Sequence, residues 1–393
     1  MQSNKKTSAF RRIFFYFYPP ENNLIKIPFL TLIRKGKLKL KNICVKNHLF
    51  LLFISMLAII SVRGQIGGDN TYEFINLTSS PRIAGMGGDF LTINDNDILL
   101  TVSNPSLINE KMDNQLGVSF VDFYTDVNYG FAAYSKSIKN VGNFVGSVQY
   151  INYGTFEGAD ATGELTGKFY AGESAFNIGW GRQLDSLFSI GANLKFIYSS
   201  LESYNSFGMA VDVAGSYHSR DGSFTASLIA KNIGRQLTAY NGGNIEPLPF
   251  ELQVGLSKKL QHLPFRYSLL FNHLDKWDLR YEDPSAQQID PISGEKIEDS
   301  NLEKFADNFM RHIVLGGELL IGKNLSVQAG YNYKRRQELK IESKTATVGF
   351  SWGVGIRISK FHINYARSTY HLNGSPNYIA IRTSLSDFFV KQN

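Results

Sequence analysis

From residue 116 to the end, apolar and polar side chains alternate with a period of two in one segment after another, and this pattern restricts the chain to β structure. Val348, Phe350, Trp352, Val354 and Ile356 fall on one side of such a segment; Gly349, Ser351, Gly353 and Gly355 fall on the other. Leu325, Val327, Ala329, Tyr331 and Tyr333 alternate in the same way with Ser326, Gln328, Gly330 and Asn332. So do Phe207, Met209, Val211 and Val213 with Gly208, Ala210, Asp212 and Ala214. Successive side chains of a pleated strand point to opposite faces, so each segment has one greasy face and one small or polar face. A water-soluble sandwich alternates too. The number of strands, their length and their connections decide between the two.

About 14 such segments follow one another, near 116–124, 128–138, 142–153, 167–182, 186–199, 206–218, 222–233, 248–259, 263–275, 307–321, 324–334, 346–358, 360–371 and 376–389. Most are longer than the ~5–6 residues of an average globular strand and reach the ~9–11 that an outer-membrane strand needs. No stretch carries a helical period with caps. Short turns at Ile138–Gly142, Gln183–Ser186, His218–Gly222, Lys259–Leu263, Ile321–Asn324 and Ser359–Lys360 alternate with longer connections at Gly154–Gly167, Ser200–Asn205, Ile233–Pro247, Lys276–Ala306, Lys334–Thr345 and Leu372–Ser375. Only the first connection on the long side, Tyr124–Asn128, is short. Periplasmic turns and external loops alternate in this order, and an even strand count leaves both termini on the periplasmic side. The expected fold is all-β: a transmembrane antiparallel β-barrel of about 14 strands over residues 116–393. Many of the 20 Tyr and 29 Phe stand at segment ends, where amphipathic rings favour the headgroup zone, as Tyr150, Tyr153, Tyr198, Tyr217, Phe271, Tyr331, Tyr333 and Tyr365 do.

Residues 1–64 read as a leader. Lys39, Lys41 and Lys46 precede the apolar run from Leu49 to Ile60, and a cleavage site between Gly64 and Gln65 follows it. The run is short of the ~20 residues of a spanning helix. The first ~40 residues, basic and aromatic, are unlike an export signal and suggest a translation start further downstream. The leader holds 12 of the 41 basic residues and one of the 34 acidic ones, so the remainder has 29 bases, 33 acids and a net charge of −4. The basic pI therefore belongs to the leader, and it gives no support to a nucleic-acid partner. The single cysteine, Cys44, also lies there, so the mature chain is expected to hold together without disulfides. Residues 65–115 do not alternate; they are rich in Gly, Asn and Asp, and the expectation for them is a plug or hatch folded into the lumen.

Side-chain chemistry of the enzymatic kind is missing. The seven histidines show no zinc spacing, Gly85-Met86-Gly87-Gly88 lacks the strand–helix context of a dinucleotide site, and no nucleophile elbow is present. Asn94-Asp95-Asn96-Asp97 lacks the Gly and terminal Glu of a calcium loop. No enzyme, cofactor or metal is expected. Inward-facing Lys195, Asp212, Glu251 and Glu318 read as lumen residues paired with each other or with the plug.

The stretch from Tyr72 through Arg82 to Gly87 and Gly88, followed by Asn104, Pro105 and Ser106, resembles the start of the PorQ family, outer-membrane components of the Bacteroidetes type IX secretion system. The C-terminal region resembles it as well, in Arg311 to Gly316, Ala329 to Leu339 with Arg335 and Arg336, Gly349 to Gly353, and Tyr365 to His371. The likeness covers essentially all of the mature chain. It departs at Ser106, where the family tends to have alanine, and at the C-terminus, which does not end on an aromatic residue. The resemblance implies a 14-stranded fold related to PorV and the FadL transporters. It also implies a non-enzymatic anchor in the outer-membrane lipid, holding a PorZ-like peripheral protein and other members of the cell-surface attachment complex. A FadL-like carrier with a hydrophobic ligand in the lumen, or a PorV-like cargo shuttle, is the alternative. Only long connections could meet an external partner. Lys276–Ala306 is the longest and most acidic, with Trp277, Leu279 and Tyr281 at its base, and Arg335 and Arg336 offer planar donors for carboxylates from the next long connection.

Overall fold

Strand pairing closes on itself. The computed structural model describes residues 70–280, 300–339, 347–370 and 374–389, and the expected leader and Gly64–Gln65 cleavage site lie outside them. Fourteen strands follow in chain order: β1 (Gln115–Tyr124), β2 (Val127–Ile138), β3 (Gly142–Ala159), β4 (Leu165–Gln183), β5 (Phe188–Leu201), β6 (Tyr204–His218), β7 (Phe224–Thr238), β8 (Glu251–Lys259), β9 (Phe265–Phe271), β10 (Ile313–Ile321), β11 (Leu325–Asn332), β12 (Phe350–Ile358), β13 (Phe361–Ser368) and β14 (Asn377–Ser384). Each pairs antiparallel with its neighbours in sequence, and β1 pairs with β14 from Gln115↔Ser384 to Asp122↔Asn377, which shuts the barrel.

The wall is apolar outside and polar inside. Val118, Phe120, Tyr134, Val148, Phe176, Ile178, Val213, Leu315, Trp352 and Ile379 are exposed on the outer face. Between them Ser119, Ser135, Ser147, Gln149, Asn177, Asn193, Lys195, Asp212, Gln253, Arg266, Glu318, Gln328 and Ser351 are buried on the inner face. A water-soluble sandwich buries the opposite set. With each strand paired to two neighbours in a closed ring, this is a transmembrane β-barrel of the outer-membrane type. Among the described residues, no helix is long and apolar enough to cross a membrane.

Several boundaries differ from the sequence reading. Gly154–Gly167, expected to be a loop, is mostly strand: β3 has 18 residues and β4 has 19, and only residues 160–164 connect them. The β5–β6 connection is two residues long, so the first external turn is not alone in being short. Helices are present, contrary to expectation: α1 (Pro81–Gly85), α2 (Asn301–Arg311), α3 (Tyr333–Leu339) and α4 (Ser386–Phe389). Helix α2 begins on a capping box in which the Ser300 side chain accepts from the Glu303 N–H while the Glu303 carboxylate accepts from the Ser300 N–H. Strand β10 therefore starts at Ile313 rather than near 307. Val348 is buried in a turn instead of heading a lipid-facing row, and the last strand stops at Ser384, before Phe388 and Phe389.

Residues 70–114 pack along the inner face of the wall. Ile83, Met86, Phe90, Leu91, Ile93 and Leu100 form one apolar cluster with Ala214, Ile229, Leu270 and Val314, which point inward from four different strands. A second cluster joins Ile98, Leu99 and Ile108 to Phe131, Ala133, Val145 and Ala380.

Candidate functional site

The inner face and the segment against it form one polar network with two ends. At the end where the chain's short turns lie, Glu318 of β10 accepts from Arg82 of α1 at two positions, Nε at 2.7 Å and Nη2 at 2.8 Å. It also accepts from Arg266 of β9 at 3.1 Å and from Gln328 of β11 at 3.0 Å. Asp95 is held by both Nη atoms of Arg266, each at 2.7 Å, and by Arg82. Asp97 caps the turn beginning at Ile98 through the Leu99 N–H and faces Arg382 of β14 at 3.4 Å. Three guanidiniums thus balance three carboxylates, which is what buried charges require. A cavity of about 160 Å³ opens beside them, lined by Arg82, Asp95, Asp97, His362 and Arg382 among others. Asp95 and Asp97 are therefore ion-pair partners, which gives the Asn94–Asp97 run its physical meaning.

Further along, Asn104 works as a hub. Its Nδ2 donates to the Leu91 carbonyl at 2.6 Å, and its Oδ1 accepts from the Ser106 N–H at 3.0 Å and the Ser106 hydroxyl at 2.6 Å, capping the turn Pro105–Leu107. Ser106 in turn lies 2.5 Å from Ser216 of β6. Gln149 of β3, Tyr129 of β2, Ser257 of β8 and Ser368 of β13 all donate to backbone carbonyls of the segment, at Phe74, Thr78, Thr92 and Ala84. Close approach needs glycine at Gly330, where a Cβ would overlap the backbone of Met86. Lys195 pairs with Asp212 at 2.8 Å, in agreement with its reading as a lumen residue.

At the other end, α3 turns back over the barrel mouth. Arg335 was expected to offer donors to an external carboxylate. Instead its guanidinium donates to the Gly87 carbonyl at 3.1 Å and to Ser351 at 3.2 Å, and it lies over the Tyr370 ring at 4.1 Å. Arg336 donates to the Val348 carbonyl at 3.2 Å. Both arginines are engaged in the barrel's own contacts, because the helix that carries them points them there. Gly87 and Gly88, at φ of 108° and 117°, let the segment turn beneath Arg335. Glu251 lies 3.3 Å from Nδ1 of His273, and Lys334 lies 3.1 Å from Nε2. Burial pushes the His273 imidazole below its usual range, so a neutral ring can accept from the lysine and donate to the glutamate.

Trp277 is half exposed and stacks between Phe305 at 5.5 Å and His312 at 5.4 Å, while Leu302 and Phe309 continue an exposed apolar stripe along α2. Asn308 fastens the helix to the base of the loop, donating to the Trp277 carbonyl at 2.5 Å and accepting from the Leu279 N–H at 2.9 Å. Asp307 accepts from Arg311 and from the Tyr333 hydroxyl, both at 2.8 Å. Burial opposes its charge, but these hydrogen bonds together with the Arg311 and Arg280 charges hold its carboxyl below the usual range. Tyr281 lies outside the described residues. Among the described residues, no group of three or more His, Cys, Asp or Glu is placed to hold a metal ion.

No protein-family model matches the chain, and no curated protein matches it. Solved barrels do. The toluene transporter TodX of Pseudomonas putida is similar at 11% identity over 79% of this chain and 97% of that one, with a TM-score of 0.43. A deltaS2 mutant of the TodX monoaromatic hydrocarbon channel gives 13% over 79% and 98%, with a TM-score of 0.46. A Pseudomonas aeruginosa FadL homologue gives 10% over 79% and 99%, with a TM-score of 0.44.

Proposed function

We propose that this barrel is a non-enzymatic outer-membrane anchor whose lumen is plugged by residues 70–114 and whose working surface is its external loop end. The observation that carries this reading is that the N-terminal segment is tied to the wall at both ends of the barrel, by the Arg82–Asp95–Glu318–Arg266 network at one and by Arg335 on the Gly87 carbonyl at the other. A lumen so occupied leaves the loops as the place where a partner can act. The resemblance to the PorQ family supplies the finer reading: attachment-complex membership in type IX secretion, with a PorZ-like surface protein held from outside. In this reading Trp277 and the α2 stripe are the aromatic contribution to that surface. Arg335 and Arg336 act instead by bracing the mouth.

The alternative is a FadL-like carrier of hydrophobic solutes, which requires a continuous apolar path past the segment. One experiment separates the two. The tagged full-length chain is purified from native outer membrane in mild detergent. The anchor reading expects a heat-modifiable barrel, processed near Gln65, that retains a stable surface protein. A barrel that retains a hydrophobic ligand and no protein supports the carrier instead, and recovery in a soluble periplasmic fraction refutes both.

A further inference from the structure

The β3–β4 hairpin outgrows the barrel. Pairing of β2 on β3 ends at Asn128↔Asn152, and pairing of β5 on β4 ends at Ala171↔Leu201. Thr155↔Tyr170, Phe156↔Phe169, Glu157↔Lys168, Gly158↔Gly167 and Ala159↔Leu165 follow, and past the Tyr170 carbonyl, which accepts from the Glu202 N–H at 3.2 Å, this part of the sheet is only two strands wide. Its tip is rigid. Asp160 Oδ1 accepts from the Thr162 N–H at 2.8 Å, the Thr162 hydroxyl at 2.6 Å and the Glu164 N–H at 3.0 Å, and Phe156 stacks on Phe169 at 5.3 Å.

We infer that the outer edge of β3, Thr155–Ala159, is a strand-addition site for an extended segment of the surface partner. A two-stranded ribbon is marginal in water, and a third strand is what completes it. In an antiparallel ladder alternate residues turn both N–H and C=O away from the paired strand, so this edge presents a row of backbone donors and acceptors that an extended backbone satisfies. Edges are ordinarily guarded by proline, by unmatched charge or by a bulge. No proline lies in either strand, and the Glu157 charge is matched across the ladder by Lys168. The two edges differ in the third respect. On β4 the register shifts opposite Gly158 and Ala159, and Gly167 takes a φ of 121°, which breaks the edge. On β3 the equivalent kink lies below the site, between Asn152 and Thr155, and the run above it is regular. The two-residue β1–β2 connection reaches only Gly154, where Asp126 lies against the backbone, so among the described residues nothing covers the edge. An added strand would occupy the place that β2 vacates, exposing alternate side chains to Phe156 on one face and to Glu157 on the other.

This inference rests on the anchor reading and names how the partner is held. The test uses the tagged full-length chain in native outer membrane, with a photo-crosslinking amino acid placed in turn at Thr155, Glu157 and Ala159, and at Leu165 and Lys168 as the opposite edge. Strand addition expects the three β3 positions to crosslink to one surface protein, at partner residues that step by two as the position steps by two. It also expects the alternate backbone amides of 155–159 that face away from β4 to exchange at least tenfold more slowly in the complex than in the stripped barrel. Replacing residues 155–170 by an Asn-Gly turn should leave a heat-modifiable barrel that no longer retains the partner. Retention at the unaltered level by that shortened barrel overturns the inference and leaves the anchor reading standing, as do crosslinks confined to the β4 edge or to a second copy of this chain. A complete chain that retains no surface protein overturns both.

Discussion

Replacing Glu318 by alanine tests whether the ion network holds the N-terminal segment in place. The Glu318 side chain is fully buried and accepts four hydrogen bonds, two from Arg82 and one each from Arg266 and Gln328. Without it, Asp95 is the one carboxylate that both Arg82 and Arg266 reach, with Asp97 3.9 Å from Arg82, and the two largely buried guanidiniums lose the fully buried acid between them. Removing one partner of a buried ion pair costs about 3–5 kcal/mol, much of it the desolvation of the charge left behind. Because Arg266 belongs to the wall and Arg82 to the segment, the strain is relieved by the segment moving away. At about 1.4 kcal/mol per tenfold, the released population should rise by roughly two to three and a half orders of magnitude. The assay is tryptic cleavage after Arg82, which is only 7% exposed in the docked state. Cleavage that follows the open population reports the equilibrium directly when closing is faster than cutting. Glu318→Ala should accelerate this cleavage at least a hundredfold and raise single-barrel conductance in planar bilayers. Glu318→Gln, which keeps an acceptor and loses the charge, should fall between. An assembled, heat-modifiable Glu318→Ala barrel whose Arg82 site is cut no faster than before would refute the clamp.

Gly330→Ala should dislodge the segment at the same level, since its methyl overlaps the Met86 backbone; overpacking of this kind costs about 1–3 kcal/mol, checked by the same cleavage. Val354→Arg, on the lipid face of β12, should cost ~2–4 kcal/mol if near the midplane, read as a lower urea midpoint for refolding into bilayers. Ser300→Ala removes one half of the α2 capping box and should loosen the helix start by about 1 kcal/mol, seen as faster amide exchange at residues 302–304 with the barrel unchanged.

The strand count, the closed ring and the face each strand turns to lipid were legible in the alternation, because a period of two survives any local variation in strand ends. Where the reading failed, a local signal competed with a tertiary one. Gly154, Gly158, Gly163 and Gly167 suggest a loop, yet only residues 160–164 leave the ladder; the other glycines sit at a kink and a bulge within it. The capping box at Ser300 and Glu303 was there to be read and marks α2, but the surrounding aromatics look equally like a strand approach. Arg335 and Arg336 make contacts with the barrel that nothing in their local sequence announces. Their direction depends on a helix that begins where β11 stops and folds over the mouth. The Arg82–Glu318 pair joins residues 236 apart, and nothing local in either stretch announces it.

That separation bears on the order in which the molecule can be assembled. Residues 70–114 leave the export channel before any strand of the barrel, yet their partners are spread around the ring, and some of the last to emerge are Ser368 and Arg382. Ala84 meets Ser368 across 284 residues of intervening chain. Contacts of that range form late, because the entropy of closing the loop must be met before they contribute. The segment can meet Tyr129 and Gln149 early, but its contacts with β13 and β14 must wait until the seam between β1 and β14 is nearly shut. Its greasy residues, Ile83, Met86, Phe90 and Leu91, are then the part of the newborn chain most in need of a periplasmic escort.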